Sequence, residues 1–277
     1  MKGQWRKSIL LLFFLLLSVI SLLMLLGGRS QASVLKEDTC SSEEFRKQQL
    51  TPGIYEEISQ IAEERGNLGG LIASTMLHGD FAPREVNGDD APFLKYKPRE
   101  YTLLKKSYEA VWADLEYFPI PAKTEQTISR EISYEDSFGA PRDFGGERTH
   151  EGCDLFGSVT EPGYYPVLSM TDGVVEKIGW LPLGGYRIGI RAPAGGYFYY
   201  AHLSEYEKEF QAGEAVNAGD ILGYMGNTGY GEEGTIGQFP VHLHLGIYLN
   251  APDGEEMSVN PYWILRAMEK KIRKYAY

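Results

Sequence analysis

The stretch RTHEGCDLFG, Arg148 to Gly157, sets His150 four residues before Asp154 with a glycine between them. A second stretch, VHLHLGIYL from Val241 to Leu249, reads as a strand. Side chains alternate along a strand, so His242 and His244 share one face, and Val241, Leu243, Leu245 and Ile247 form the other, wholly apolar face. Gly246 follows on the histidine face and leaves room above it. The two imidazoles lie about 7 Å apart along the strand. That spacing suits both binding one ion, or one binding and the other acting beside it. H-x-x-x-D alone is a weak signal, and H-x-H alone describes two partly exposed histidines equally well. Together, two neutral ring nitrogens and one carboxylate make a ligand set for Zn²⁺ with a fourth position open to water. The chain has only five histidines, and four lie near such patterns. His202 closes the tyrosine-rich run Tyr197 to Ala201 and, alone, is an ordinary strand-end residue. His78 sits in the last turn of a helical run before Gly79, where it favours the helix dipole; no chemistry is assigned to it.

The elements that must position these residues fall in the second half of the chain. From about Ile128 glycine is dense and the apolar spacing moves towards two. Val174–Ile178, Tyr186–Arg191, Tyr197–Leu203, Ile221–Met225 and Val241–Leu249 read as strands. Gly184-Gly185 and Gly195-Gly196 read as tight connections, so this half is mainly antiparallel. The first half is helical. Thr51-Pro52 opens a helix that ends at Gly66. Leu71–Leu77 is a second helix, Phe81–Pro98 a loop, and Leu104, Tyr108, Val111, Trp112 and Leu115 form an amphipathic stripe. Residues 34–50 read as a polar juxtamembrane spacer, and Asn260–Tyr277 as a closing helix. The junction is expected near residues 118–127.

With 277 residues and a formal charge of −11, the chain can build a sizeable core but is no match for a polyanion. Nucleic-acid binding depends on Lys and Arg contacts to phosphate, and gripping acidic polymers depends on a basic patch. Cys40 and Cys153 imply no disulfide framework. Cys153 reads as a small residue pointing into the core. Lys2, Arg6 and Lys7 precede an apolar run, Ile9 to Leu26, whose helical length approaches the roughly 30 Å of a bilayer core. An uncleaved anchor with a cytoplasmic N-terminus is expected, which exports the rest of the chain. A small-residue site at Ser30-Gln31-Ala32 is the alternative, a cleaved and secreted form. GYMGNTGYGEEG, Gly223 to Gly234, lacks the lysine of a phosphate loop and reads as a loop edging a groove.

The ordered set APRDFGGERTHEGCDLFG, YYAHLS, AGDILGYMGNTG and FPVHLHLGIY resembles the lysostaphin/LytM-type zinc endopeptidases over roughly residues 130–265. The resemblance implies that His150, Asp154 and His244 bind one Zn²⁺, that His242 is catalytic and that His202 assists it, stabilising the oxyanion. It also implies the peptide stem or cross-bridge of peptidoglycan as the substrate, and the expected N-terminal anchor independently places the catalytic half outside the membrane, where that polymer lies. The expected fold class is α+β: a membrane segment (1–33), the spacer (34–50), a helical region (51–120) that spaces the peptidase or covers its groove, and a mainly antiparallel β peptidase domain with a groove (121–277). Two other readings are a non-hydrolytic adaptor on the same fold, in a cell-division or sporulation assembly, and an extracellular zinc peptidase of proteins. The intact ligand set favours the enzyme acting on the wall.

Overall fold

The structure, a computed structural model, describes residues 2–124, 131–143, 146–251 and 254–277. Ile128 and residues 125–127 of the expected junction lie outside these, as do Phe144 and Gly145 of the first motif.

The N-terminal half is helical. Helix α1 (Lys2–Ala32) is followed by a 3-10 turn (Thr39–Ser41) and α2 (Glu43–Arg46). Then come α3 (Pro52–Arg65), α4 (Leu68–His78), α5 (Ala91–Tyr96) and α6 (Pro98–Trp112). The apolar stripe of α6 is buried as its spacing requires: Leu104, Tyr108, Val111 and Trp112 pack with Phe45, Ile58, Ile72 and Met76. Helix α3 starts at the proline and stops at Gly66, whose φ of +69° favours glycine. The stretch expected to be loop carries α5, nucleated by Pro92 in its first turn.

The presumed spacer is folded. Leu35, Cys40, Phe45 and Leu50 are buried, so the segment is docked rather than solvated. Ser42 caps α2 by accepting from Phe45 N, Arg46 donates to the Ser258 carbonyl and hydroxyl, and Arg46 O accepts from Asn260 N. Polar composition hid this because the buried positions are few and widely spaced.

The second half forms one ten-stranded sheet among the described residues. Its strands are β1 (Ile132–Tyr134), β2 (Cys153–Gly157), β3 (Pro166–Leu168), β4 (Gly173–Leu181), β5 (Gly185–Arg191), β6 (Tyr197–Tyr206), β7 (Ala215–Val216), β8 (Ile221–Met225), β9 (Leu243–Asn250) and β10 (Glu256–Val259). The main path runs β7-β4-β5-β6-β9-β2-β1, with β8 on β3 and β6, and β10 on β9. All of these pairings are antiparallel. Ile188, Ile190, Phe198, Tyr200, Leu243, Leu245 and Ile247 point to the core. The opposite face of the same strands is the floor of a groove. The tail departs from expectation. Helix α7 (Tyr262–Met268) ends early, and Lys274–Tyr275 instead pairs in parallel with Ala122–Lys123.

The helices pack against the sheet through the same apolar cluster. Glu116 N and Tyr117 N donate to Met170 O, and Pro119 O accepts from Leu168 N. A Cβ on Gly196 would fall 2.1 Å from Ala110 O in α6. Among the described residues the groove, however, is lined from Arg142 onward. The helical layer therefore braces the sheet from its core face and does not cover the groove. Helix α1 is exposed along its apolar length and meets the rest near its end, where Tyr96 lies against Gly28 and Gln31 meets His78. It is long and apolar enough to cross a membrane, with a mean hydropathy of 3.2 in its most apolar window.

Candidate metal centre

Three strands and two loops bring His150, Asp154, His202, His242 and His244 together. In the sheet, His244 pairs with Asp154 on one side and Ala201 on the other. Cys153 and Leu155 point into the core, so Asp154 points into the groove. His150 stands just after a small hairpin, Pro141–Arg142 with Arg148–Thr149. Its backbone is held by bonds to Ala140 O and from Gly139 N.

The ligand atoms converge. His150 Nε2 lies 3.0 Å from Asp154 Oδ1 and 3.1 Å from His244 Nδ1, and His244 Nδ1 lies 2.9 Å from Asp154 Oδ1. A triangle with such edges leaves a point about 2.0–2.2 Å from all three atoms, the bond length of a small divalent ion to nitrogen and oxygen. The proton inventory favours a cation there. His150 Nδ1 faces Ser137 O at 3.1 Å and Ser137 Oγ at 3.0 Å. A carbonyl only accepts, so Nδ1 carries the hydrogen and Nε2 presents a lone pair. That lone pair faces a carboxylate oxygen and a second ring nitrogen, an arrangement that a shared cation resolves. Burial pushes the His244 ring below its ordinary range, against the pull of Asp154, so it is neutral at pH 7. Burial would raise the Asp154 carboxyl, but its bonds to His150 and His244 outweigh this and keep it ionised.

Gly152, the glycine inside the motif, has a steric reason. A Cβ there would fall 2.5 Å from Leu245 O and 2.6 Å from His244 Cε1. Arg142 is a contributor that spacing did not single out: its Nη2 donates to Asp154 Oδ2 at 2.7 Å and fixes the carboxylate so that Oδ1 faces the histidines. The only sequence signal was its place inside APRDFGG.

His242 and His202 stand beside this triad. His242 precedes β9 and is held by a bridge to Gly226. Its Nδ1 donates to Pro240 O at 2.8 Å, so Nε2 carries the lone pair, 3.7 Å from Asp154 Oδ1. Phe156 stacks on the ring at a centroid distance of 5.1 Å. His202 does not end its strand, which continues to Tyr206. Simple alternation would send His202 towards the core. Instead the pairing with β5 slips between Tyr186 and Ile188, and His202 adopts φ +63°. This bulge turns the imidazole into the groove while Leu203 returns to the core. Its ring lies 4.7 Å from that of His242. Its Nδ1 donates to Thr228 O at 2.8 Å, leaving a lone pair on Nε2. Burial, reinforced by the two neighbouring imidazoles, pushes His202 well below its ordinary range. Burial also lowers His242.

Three tyrosines, Tyr197, Tyr199 and Tyr248, pave the floor of this groove of about 1100 Å³. A Cβ on Gly189, Gly184 or Gly246 would fall on the ring or hydroxyl of Tyr197, Tyr199 or Tyr248 respectively. The room expected above Gly246 is thus taken by Tyr248. Tyr230, in the glycine-rich loop, edges the groove. His78, with Nε2 2.7 Å from Asp89 O, is remote from the site and structural.

Residues 148–261 match peptidase family M23. A crystal structure from Ruminococcus gnavus ATCC 29149, provisionally named as the glycyl-glycine endopeptidase lytM, superposes with a TM-score of 0.74 at 43% identity. It covers 90% of this chain and 98% of that one, helical layer included. The L-Ala–D-Glu endopeptidase of Bacillus subtilis (strain 168) is 41% identical over 174 residues, 62% of this chain and 49% of the relative. The glycyl-glycine endopeptidase ALE-1 of Staphylococcus capitis is 36% identical over 83 residues, 29% of this chain and 21% of the relative. The matched region thus spans half or less of these two curated relatives.

Proposed function

The chain belongs to peptidase family M23, the lysostaphin/LytM-type endopeptidases, and we propose that it hydrolyses peptide bonds of bacterial peptidoglycan with one zinc ion held by His150, Asp154 and His244. The observation that carries this reading is the convergence of three ligand atoms within 3.1 Å of one another, with the free Nε2 of His242 beside them. Zinc suits two imidazoles and one carboxylate, and when bound it polarises a carbonyl and acidifies water.

The chain's own residues do the rest. His242 is neutral, fixed by Pro240 O and open at Nε2, so it takes the proton of the attacking water and returns it to the leaving amine. His202 also presents a lone pair at rest. As a neutral ring it cannot donate to an oxyanion, so we assign it to accept a hydrogen bond from the second O–H of the attacking water and orient that water beside His242. Arg142 holds the acid ligand, and Ser137 fixes the tautomer of His150. The tyrosine floor gives a peptide a flat, partly apolar bed.

Helix α1 would tether this groove outside the cell membrane, where the wall polymer lies. An acidic protein gains nothing from charge in gripping the wall, so the tether supplies local concentration. The test is mass spectrometry of fragments released from purified walls and from defined peptides, wild type against His242→Ala. New amino termini from the wild type alone support the reading. Bound zinc with no cleavage of several wall types favours an adaptor, and cleavage of unfolded protein but not wall favours a general peptidase.

A further inference from the structure

Most groove cations are already engaged. Arg142 holds Asp154, Arg148 reaches Tyr230 Oη at 3.1 Å, and Lys177 lies 3.6 Å from Glu256. Arg187 is different. It lines the same groove, yet its Nε and Nη1 are buried with no hydrogen-bond acceptor among the described residues. A guanidinium stays charged, and a buried donor without an acceptor is destabilising.

Its place in the sheet is informative. Asp154, His244 and Ala201 are paired side by side across three strands. Arg187 comes next, opposite the Ala201–His202 bulge. At 4.7–4.9 Å per strand, its Cα stands about 10 Å from that of His244, one residue's reach from the ligand atoms. Small Ala201 lies between and leaves the floor low.

Resting on the endopeptidase reading, we infer that Arg187 is a specificity residue that binds a free carboxylate on the peptide residue next to the scissile bond. A carboxylate is the acceptor whose geometry and charge match a guanidinium. A glutamyl residue has two carboxyl groups, and continuing the chain uses at most one, so each carries at least one free carboxylate. A glycyl-glycine bond has none beside it. The groove is therefore built for an acidic stem peptide of the L-Ala–D-Glu kind rather than a glycine bridge.

The test uses the full chain in detergent, loaded with zinc, and two L-Ala–D-Glu peptides that differ only in that carboxylate, free or amidated. The wild type should prefer the free acid by about ten- to a hundredfold in kcat/KM, the scale of one charged hydrogen bond, chiefly through KM. In Arg187→Gln the preference should collapse towards unity with zinc content intact, and Arg187→Lys should restore part of it. Equal wild-type rates on the two peptides, or a preference that survives in Arg187→Gln, would overturn the inference and leave the endopeptidase reading standing. Cleavage of neither peptide overturns both. The wild-type comparison decides by itself should the glutamine variant not fold.

Discussion

Gly152→Ala is a one-carbon perturbation whose effect can be worked from the coordinates. The new Cβ would meet His244 Cε1 at 2.6 Å, His244 Nε2 at 2.7 Å and Leu245 O at 2.5 Å, where ordinary contact begins at 3.4 Å. The carbonyl belongs to β9 and is held by the sheet, so the Gly152 backbone must shift away from it and the imidazole must give as well. The ring must retreat by about 0.8 Å, which displaces Nδ1 from its place 2.9 Å from Asp154 Oδ1 and 3.1 Å from His150 Nε2. The three-atom cluster that would hold an ion is distorted. Overpacking of this kind costs about 1–3 kcal/mol, and disturbing the shell that orients a ligand lowers metal affinity by about 10–100-fold. Competition against a zinc-chelating dye gives the affinity, and thermal unfolding shows that the fold survives. Gly53→Ala, in α3 with nothing within 4 Å of the added carbon, is the matched control and should bind zinc as the wild type does. Zinc affinity and wall hydrolysis unchanged in Gly152→Ala would refute the steric reasoning.

His242→Ala should lose about 10²–10⁴-fold in kcat while keeping its zinc; the ratio of kcat to metal content checks it. Because burial lowers His242 from its ordinary 6.5, its base form is lost only as pH falls through the depressed value, so the acid limb of the rate profile should lie below pH 6.5; a limb above 6.5 contradicts that role. Trp112→Ala should destabilise the chain by about 3–5 kcal/mol, since it empties the core of the helical layer and strips the donor from buried Gln48 Oε1; denaturant unfolding measures it. Cys40, pushed up to about 11 by burial, and Cys153, raised further by burial beside Asp154, should resist iodoacetamide until the protein unfolds, with peptide mapping as the readout.

The cluster of His150, Asp154 and His244 has local signals: H-x-x-x-D and H-x-H survive in the one-dimensional chain, and strand alternation sends Val241, Leu243, Leu245 and Ile247 to the core; the choice of His244 over His242 as a ligand comes from the family resemblance, not from spacing. The rest of the site is set by contacts distant in sequence. Ser137 O, Thr228 O and Pro240 O fix three histidine tautomers through backbone carbonyls, which any residue supplies. Arg142 reaches Asp154 only because a hairpin folds it back. His202 is turned into the groove by a bulge, and a slip in pairing leaves no mark in composition. In the helical half the α6 stripe is legible at helical spacing, whereas residues 34–50 are not, because four buried apolar positions (Leu35, Cys40, Phe45 and Leu50) among many polar ones do not make a periodic pattern. The tail from Asn260 has helical composition, yet after Met268 edge pairing with Ala122–Lys123 prevails over local preference.

The most direct measurement is the metal content of the folded, chelator-stripped protein after equilibration with zinc and removal of free ion. About one zinc per chain is expected in the wild type, none retained in Asp154→Ala, and full occupancy in His242→Ala. An empty wild type, or an Asp154→Ala variant that holds zinc and cleaves wall peptides as before, would contradict the assignment of this centre.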